Sequence, residues 1–236
     1  MTVDWDKAAD NYPLDFGRNS LKRALDIAIN ETAELGTAAE LGCGPGNFTI
    51  PLSGVFRKVY ASDMSANMLA RLEEACAGRG IGNVEPILSD ALELELPERC
   101  DLAFSSMCPG VSGIAGLEKL DSLSKDLCIY ITFDRVPDMD AGMLERLGIE
   151  VPDRTGSLDF LSEFSQDHDL RTERIVDIRT WKDRREAEET YIRWTDGSDG
   201  TAERVREYFE DHDPAGTTRQ TAKLIAYWHT ERADTP

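Results

Sequence analysis

No apolar run in the 236 residues approaches the roughly 18 needed to span a bilayer. The opening Met1-Thr2-Val3-Asp4-Trp5-Asp6 has no basic region followed by an apolar stretch, so neither a membrane span nor an export signal is expected. Paired cysteines are missing as well. Cys43, Cys76, Cys100, Cys108 and Cys128 are odd in number and scattered without a C-x-x-C, which sets aside a disulfide framework and a structural zinc site. Basic charge is scarce: 26 Lys and Arg against 45 Asp and Glu leave a formal charge of -19. Such a surface repels a phosphate backbone, so no nucleic-acid partner is expected. The charge suits solubility or a salty cytoplasm, or else a neutral or cationic substrate. Histidine is rare, and His168 and His212 lie in Asp-His-Asp runs near the expected C-terminal ends of helices, where the dipole and the flanking acids favour an imidazolium; no metal site is expected there. Repeats, low-complexity tracts and long linkers are lacking too, so one cytoplasmic domain is expected, free of the membrane.

What the chain does have is alternation. Arg18 to Leu35 carries Leu21, Leu25, Ala28, Thr32 and Leu35 at helical spacing, with Gly36 to end it, after an irregular lead-in from Trp5 to Phe16 in which Pro13 discourages helix. Strands are expected at Thr37–Leu41, Lys58–Ser62, Val84–Leu88, Asp101–Ser106 and Leu127–Phe133, the last the most apolar and β-branched. Helices are expected near Asn47–Phe56 and over Ser65–Arg79, where Ser65 can cap and Met68, Leu69 and Leu72 share one face. Strands and helices of these lengths in alternation predict an α/β domain, a parallel sheet covered on both faces. Beyond it the pattern predicts helices at Asp138–Gly148 and Leu158–His168, a strand at Arg174–Trp181, charged helices at Arg184–Trp194 and Ala202–Asp211, and a closing strand at Thr221–His229.

One stretch organises the rest. Ala38-Ala39-Glu40-Leu41-Gly42-Cys43-Gly44-Pro45-Gly46-Asn47-Phe48 reads as a strand entering a glycine turn that opens a helix, and the next strand ends in Asp63 about twenty residues on. Glycines at alternate positions let backbone bend sharply and approach a ligand. An acid at the tip of the second strand can accept hydrogen bonds from both hydroxyls of a ribose. A dinucleotide fingerprint needs Gly or Ala at 47 or 49, and the chain has Asn47 and Thr49. An acid, one residue, then G-x-G-x-G instead resembles the first motif of the class I S-adenosylmethionine-dependent methyltransferases. A sulfonium ligand has no diphosphate to cradle, so a carboxylate such as Glu40 is welcome beside it.

The resemblance covers positions 37 to 133 well and the C-terminal strands more loosely. It implies a Rossmann-like, doubly wound, mostly parallel seven-stranded sheet with an antiparallel edge hairpin and a helical lid. A single domain over 1–236 would then divide into a cap segment (1–36), a core (37–181 and 220–230) and a helical insertion (182–219). It implies S-adenosyl-L-methionine as cofactor. Glu40, Gly42, Gly44 and Gly46, with Cys43 between the glycines, would line its methionine half, and Tyr12 from the cap segment would touch that half or anchor the arm. Asp63 would hold the ribose, Met64 would pack on the adenine, Asp90 would accept from the adenine amine, and the Ala91 amide would meet a ring nitrogen. Ser106 belongs to Ser105-Ser106-Met107-Cys108-Pro109, which faces the acceptor in many such enzymes and is similar to a Ser-Met-x-Pro signature of an uncharacterised branch. The run departs from the Asn-Pro-Pro-Tyr of amide and adenine N-methyltransferases, and Cys108 reads as a small buried thiol with no base near it in sequence.

The expected function is methyl transfer to a small or medium-sized acceptor, a small molecule or a protein, with no catalytic residue named. A silent S-adenosylmethionine-binding or adaptor protein and a nicotinamide-dependent oxidoreductase are the alternatives. Trp181, Tyr191, Trp194 and Tyr208 are read either as lid packing or as an aromatic cage for a cation.

Overall fold

A computed structural model describes residues 3–134, 145, 146, 148, 158–194, 199–212 and 218–230. Their strands, in chain order, are β1 (Thr37–Leu41), β2 (Lys58–Asp63), β3 (Val84–Leu88), β4 (Cys100–Ser106), β5 (Ser124–Phe133), β6 (Arg171–Thr180) and β7 (Thr218–His229). The described helices are α1 (Trp5–Ala9), α2 (Asn19–Glu31), α3 (Thr49–Ser53), α4 (Ala66–Ala77), α5 (Ile114–Leu123), α6 (Asp159–Phe164), α7 (Arg184–Trp194) and α8 (Asp199–Asp211). The strands join in one seven-stranded sheet of order β3-β2-β1-β4-β5-β7-β6. Every pairing from β3 across to β5 is parallel, while β7 runs antiparallel to both β5 and β6, so it alone is reversed. The parallel strands are those the alternation predicts, and the Rossmann-like order with its antiparallel edge pair is the one the resemblance implies.

Buried strands explain the apolar runs. Ala38, Val59, Leu102, Phe104, Ile129, Ile131 and Ile225 pack on one face against Leu21, Ala24 and Ile27 of α2 and Phe48, Leu52 and Phe56 around α3. Leu41, Ala103, Cys128, Tyr130, Ala226 and Trp228 face the other way, onto Leu117, Leu120 and Leu123 of α5 and Leu161 and Phe164 of α6. Successive strand residues thus divide between two helix layers, which is why the central strands have no polar face. Ser65 caps α4 by accepting from Met68 N at 3.1 Å, as its position predicts.

Several expectations change in detail: the helix near Asn47–Phe56 spans only Thr49–Ser53, and α5 is not among the expected helices. The lead-in is not wholly irregular: Asp4 accepts from Lys7 N at 3.1 Å and caps the short helix α1, which ends well before Pro13 can interfere. The helix expected over Leu158–His168 stops at Phe164. The one expected over Asp138–Gly148 lies, apart from three positions, outside the described residues. Between β6 and β7, α7 and α8 form a separate small core of Trp181, Ala187, Tyr191, Val205 and Phe209.

The order β1-β4 is the point at which the winding reverses, β1 leading outward to β2 and β3 while β4 leads to β5. Loops leaving the carboxyl ends of strands on either side of such a reversal diverge and leave a crevice. The glycine turn after β1 and the Ser106-Met107-Cys108 loop after β4 border it.

Candidate functional site

Gly42, Gly44 and Gly46 have φ of 71°, 53° and 102°, a region that costs a side-chain-bearing residue roughly 1–2 kcal/mol. Their surroundings differ. A Cβ on Gly42 would stand 2.4 Å from Cys108 Sγ, and one on Gly46 would stand 2.6 Å from Leu72 Cδ1, whereas one on Gly44 would meet nothing within 4 Å. Packing closes the first and third positions, and the second bares its backbone to the crevice.

The acids at the strand tips brace this turn. Glu40 is 2% exposed and its Oε2 accepts from Thr49 Oγ1 at 2.6 Å, while its Oε1 makes no hydrogen bond among the described residues. Burial pushes its carboxyl up to about 8, against the Thr49 bond, and the nearby Asp63 adds to the rise. Asp63 accepts from Gly44 N at 2.8 Å and from Ser65 N at 2.9 Å. Burial raises its pKa from the usual carboxylate value, and the backbone donors hold that rise back.

An N-terminal arm crosses the turn. Asn47 accepts from Asp15 N at 2.7 Å and donates to Pro13 O at 3.1 Å; Arg71 of α4 donates to Tyr12 O at 2.7 Å and also to Ala9 O. Ser65 Oγ donates to Asp6 at 2.6 Å, which draws α1 onto the start of α4. Under the arm lies a cavity of ≈ 40 Å³ bordered by Tyr12, Arg18, Glu40, Gly44, Ser106 and Met107, with Cys43, Asn47 and Phe48 among its remaining walls. That is space for a few water-sized groups, the scale of an amino-acid head rather than of a nucleoside.

Further along the sheet edge, Met64, Leu88 and Leu92 are large apolar residues left exposed, at 62%, 63% and 44%. Asp63 and Leu88 are partners in the β2–β3 register, so Met64 and Leu88 leave neighbouring strand ends. Asp90 Oδ1 accepts from Leu92 N at 2.9 Å; its Oδ2 and the Ala91 N–H engage nothing among the described residues. An apolar strip flanked by one spare acceptor and one spare donor is the complement of a purine ring's flat faces, exocyclic donor and ring-nitrogen acceptors.

Of the sequence-selected positions, Tyr12, Glu40, Gly42, Cys43, Gly44 and Ser106 line the small cavity; Gly46 is closed off by Leu72, and Asp63, Met64, Asp90 and Ala91 lie at and beyond the ends of β2 and β3. Arg18, Asn47, Met107, Leu88 and Leu92 also belong here and were missed. Arg18 reaches the crevice because the arm folds back, and Asn47, in the turn itself, ties that arm down; no local pattern signals either contact. Met107 has φ 59°, rare for a side-chain-bearing residue, and its N–H is fixed to Ile131 O at 2.9 Å. Its Sδ lies 3.6 Å from Lys223 Nζ, which sits 3.5 Å over the Phe133 ring.

Other candidates resolve differently. Cys108 is half-buried, and burial, with the fields of Asp63 and Asp90, pushes its thiol up, so it is no ready nucleophile. Each of the two helix-end histidines stacks on the aromatic four residues before it, His168 on Phe164 at 3.7 Å and His212 on Tyr208 at 4.4 Å. Trp181 and Tyr191 are buried between β6, α7 and α8; the Trp194 side chain lies outside the described residues. Among the described residues no helix is long and apolar enough to cross a membrane.

Comparison with known proteins agrees with this geometry. Residues 38–117 match the family model described as a methyltransferase domain. The chain is 34% identical over 91 residues to a tRNA/tmRNA (uracil-C(5))-methyltransferase of Campylobacter curvus, covering 35% of this chain and 25% of that protein. It is 32% identical over 91 residues to the 23S rRNA (uracil(1939)-C(5))-methyltransferase RlmD of Xanthomonas axonopodis, covering 36% and 20%. The chain thus spans about a quarter of the length of the curated relatives it matches. Among solved structures, a methyltransferase of Thiobacillus denitrificans in complex with S-adenosyl-L-homocysteine superposes with a TM-score of 0.59 at 16% identity, over 97% of this chain and 99% of that one.

These relatives correct one expectation. Net charge predicts no nucleic-acid partner, yet enzymes to which this chain is similar act on tRNA, tmRNA and rRNA. A formal charge sums the whole surface, whereas a substrate responds to the field at one cleft and to whatever further segments carry it there. Sheet order and glycine turn agree with the match of residues 38–117 to a methyltransferase domain, and over that stretch the chain is similar to S-adenosylmethionine-dependent methyltransferases.

Proposed function

We propose that this protein transfers a methyl group from S-adenosylmethionine to an acceptor that enters beside Ser106 and Met107. The observation that carries the reading is the bare backbone of Gly44, held at φ 53° between two acids, Glu40 with a free oxygen and Asp63 bonded to the Gly44 amide. Asp63 disfavours a diphosphate there, and a cationic ligand would draw the buried Glu40 into its ionised form and pair with it.

In this reading the cofactor supplies an activated methyl on a sulfonium, whose sulfur leaves with the carbon–sulfur electron pair and needs no proton. The chain's part is alignment and exclusion of water. Asp63 receives the ribose hydroxyls; Met64, Leu88 and Leu92 cover the purine, while Asp90 and the Ala91 amide read its edge. Tyr12 and the arm close the methionine end. The Ser106–Cys108 loop forms the entrance, and α7 with α8 act as its lid. Small and medium-sized acceptors fit this placement, and a nucleobase turned out of an RNA strand is one of them.

Purified protein incubated with methyl-labelled S-adenosylmethionine and separate RNA, protein and small-molecule fractions from cells should label one fraction. Binding of S-adenosylhomocysteine with no fraction labelled would instead favour a silent binder. Binding of a nicotinamide cofactor in its place would overturn the reading altogether.

A further inference from the structure

Lys223 of β7 is a lysine folded inward, only 8% exposed. Its register partner on β5 is Phe133, and Nζ stands 3.5 Å from the centroid of that ring. Nζ also reaches the loop after β4, 3.6 Å from Met107 Sδ. Met107 is held by its backbone, at φ 59° with its N–H on Ile131 O at 2.9 Å, and it lines the small cavity together with Ser106, Glu40 and Gly44. A ring face and a thioether are soft, weak acceptors for an ammonium, which carries three donors; a charged oxygen in the same place is a much stronger one. At a position between Phe133 and Ile175 in the register, packing alone calls for an apolar side chain, because burying an ammonium is costly. The charge therefore points to a task at the acceptor entrance.

Charge changes sign across the site, with Glu40 and Asp63 at the ends of β1 and β2 and Lys223 behind Met107. Methyl transfer moves the positive charge of the sulfonium onto the acceptor. An amine acceptor would develop that charge beside the ammonium and raise the barrier, whereas on an oxyanion it is cancelled. We infer that Lys223 sets the acceptor class: an organic oxyanion, a carboxylate or an acidic phenol or enol that is already ionised at neutral pH. In the step an oxygen lone pair forms the bond to the methyl carbon while the carbon–sulfur bond breaks, its electron pair going to sulfur. No proton moves, so no base is required. The oxyanion takes the place of Met107 Sδ as acceptor for the ammonium, and the neutral ester or ether that forms loses the attraction and leaves. The inference rests on the methyl-transfer reading above and narrows it.

The test incubates the whole chain with S-adenosylmethionine carrying an isotope-labelled methyl and with cell extract, and reads the labelled product by carbon NMR, which tells an oxygen-bound methyl from one on nitrogen, sulfur or carbon. The methyl should sit on oxygen. For the compound so labelled, Lys223→Met should lose roughly 10- to 100-fold in kcat/KM, the usual worth of a charge-assisted bond. Lys223→Arg, which keeps the charge, should recover most of it. Calorimetric affinity for S-adenosylhomocysteine should be the same in the wild type and both variants. If it falls in Lys223→Met, the residue holds the fold rather than the acceptor and the inference is overturned. A methyl on nitrogen, sulfur or carbon, or a wild-type kcat/KM in Lys223→Met, also overturns it while the methyl-transfer reading stands. If the wild type labels nothing, the methyl-transfer reading falls and the acceptor class with it.

Discussion

Asp63 Oδ2 accepts the amide hydrogen of Gly44 at 2.8 Å, so the tip of β2 holds the middle of the turn that follows β1. One carboxylate fixes the bend and, in the proposed function, receives the ribose hydroxyls. Asp63→Ala should weaken S-adenosylhomocysteine binding by about 2 kcal/mol or more, the scale for losing a charged acceptor. Titration of the variant would check it, and an unchanged affinity would remove Asp63 from the ribose.

The three glycines should separate function from stability. Gly44→Ala meets no atom within 4 Å, so its cost is the backbone's, roughly 1–2 kcal/mol, with cofactor affinity falling further because the methyl enters the crevice. Gly42→Ala drives a Cβ into Cys108 and should be the less stable of the two. Thermal unfolding with and without S-adenosylhomocysteine distinguishes them, and equal losses of stability would contradict the packing difference.

Glu40 should make the ligand-free chain lose stability with rising pH. Its folded pKa, about 8, lies above its ordinary 4.5. Between those values the folded chain holds a proton that the unfolded chain has released. The contribution is therefore whole below about 4.5 and is lost as pH climbs to about 8, with a slope of at most ~1.4 kcal/mol per pH unit. Denaturant melts at pH 5, 6, 7 and 8 should show this decline in the wild type and a flatter profile in Glu40→Gln. Matching profiles would mean that Glu40 is ionised in the fold.

Asp177 of β6 accepts from Ser20 N at 2.8 Å and Ser20 Oγ at 2.7 Å, and so caps α2 from the far edge of the sheet. Both residues are buried. Asp177→Ala should cost about 1–3 kcal/mol by leaving two buried donors unmatched. That corresponds to roughly 3–10 °C in a domain of this size. An unchanged melting temperature would show that water replaces the cap.

Much of the proposed cofactor side was legible because it is local. A strand, a turn that needs positive φ and a helix start leave their marks within a dozen residues, so Glu40, Gly42, Gly44, Gly46 and the spacing to Asp63 could be read directly. The reversed β7 came with the family likeness, since no residue in Thr218–His229 states its direction. Arg18 and Asn47 were invisible for the opposite reason: their part depends on an arm folding back across more than thirty residues to meet the turn. Net charge misled because it carries no position.

The sequence by itself determined which segments are strands and helices and where the backbone must bend, since those follow from side-chain periodicity and from glycine's freedom at φ > 0. Only the tertiary structure decided what surrounds the bend. The order β3-β2-β1-β4 parts the loops of β1 and β4 and opens a crevice between them. Burial then strips water from Glu40, and the returning arm sets Arg18 around the same space. Charge, desolvation and distance belong to groups far apart in the chain, and they acquire values only when folding brings those groups together.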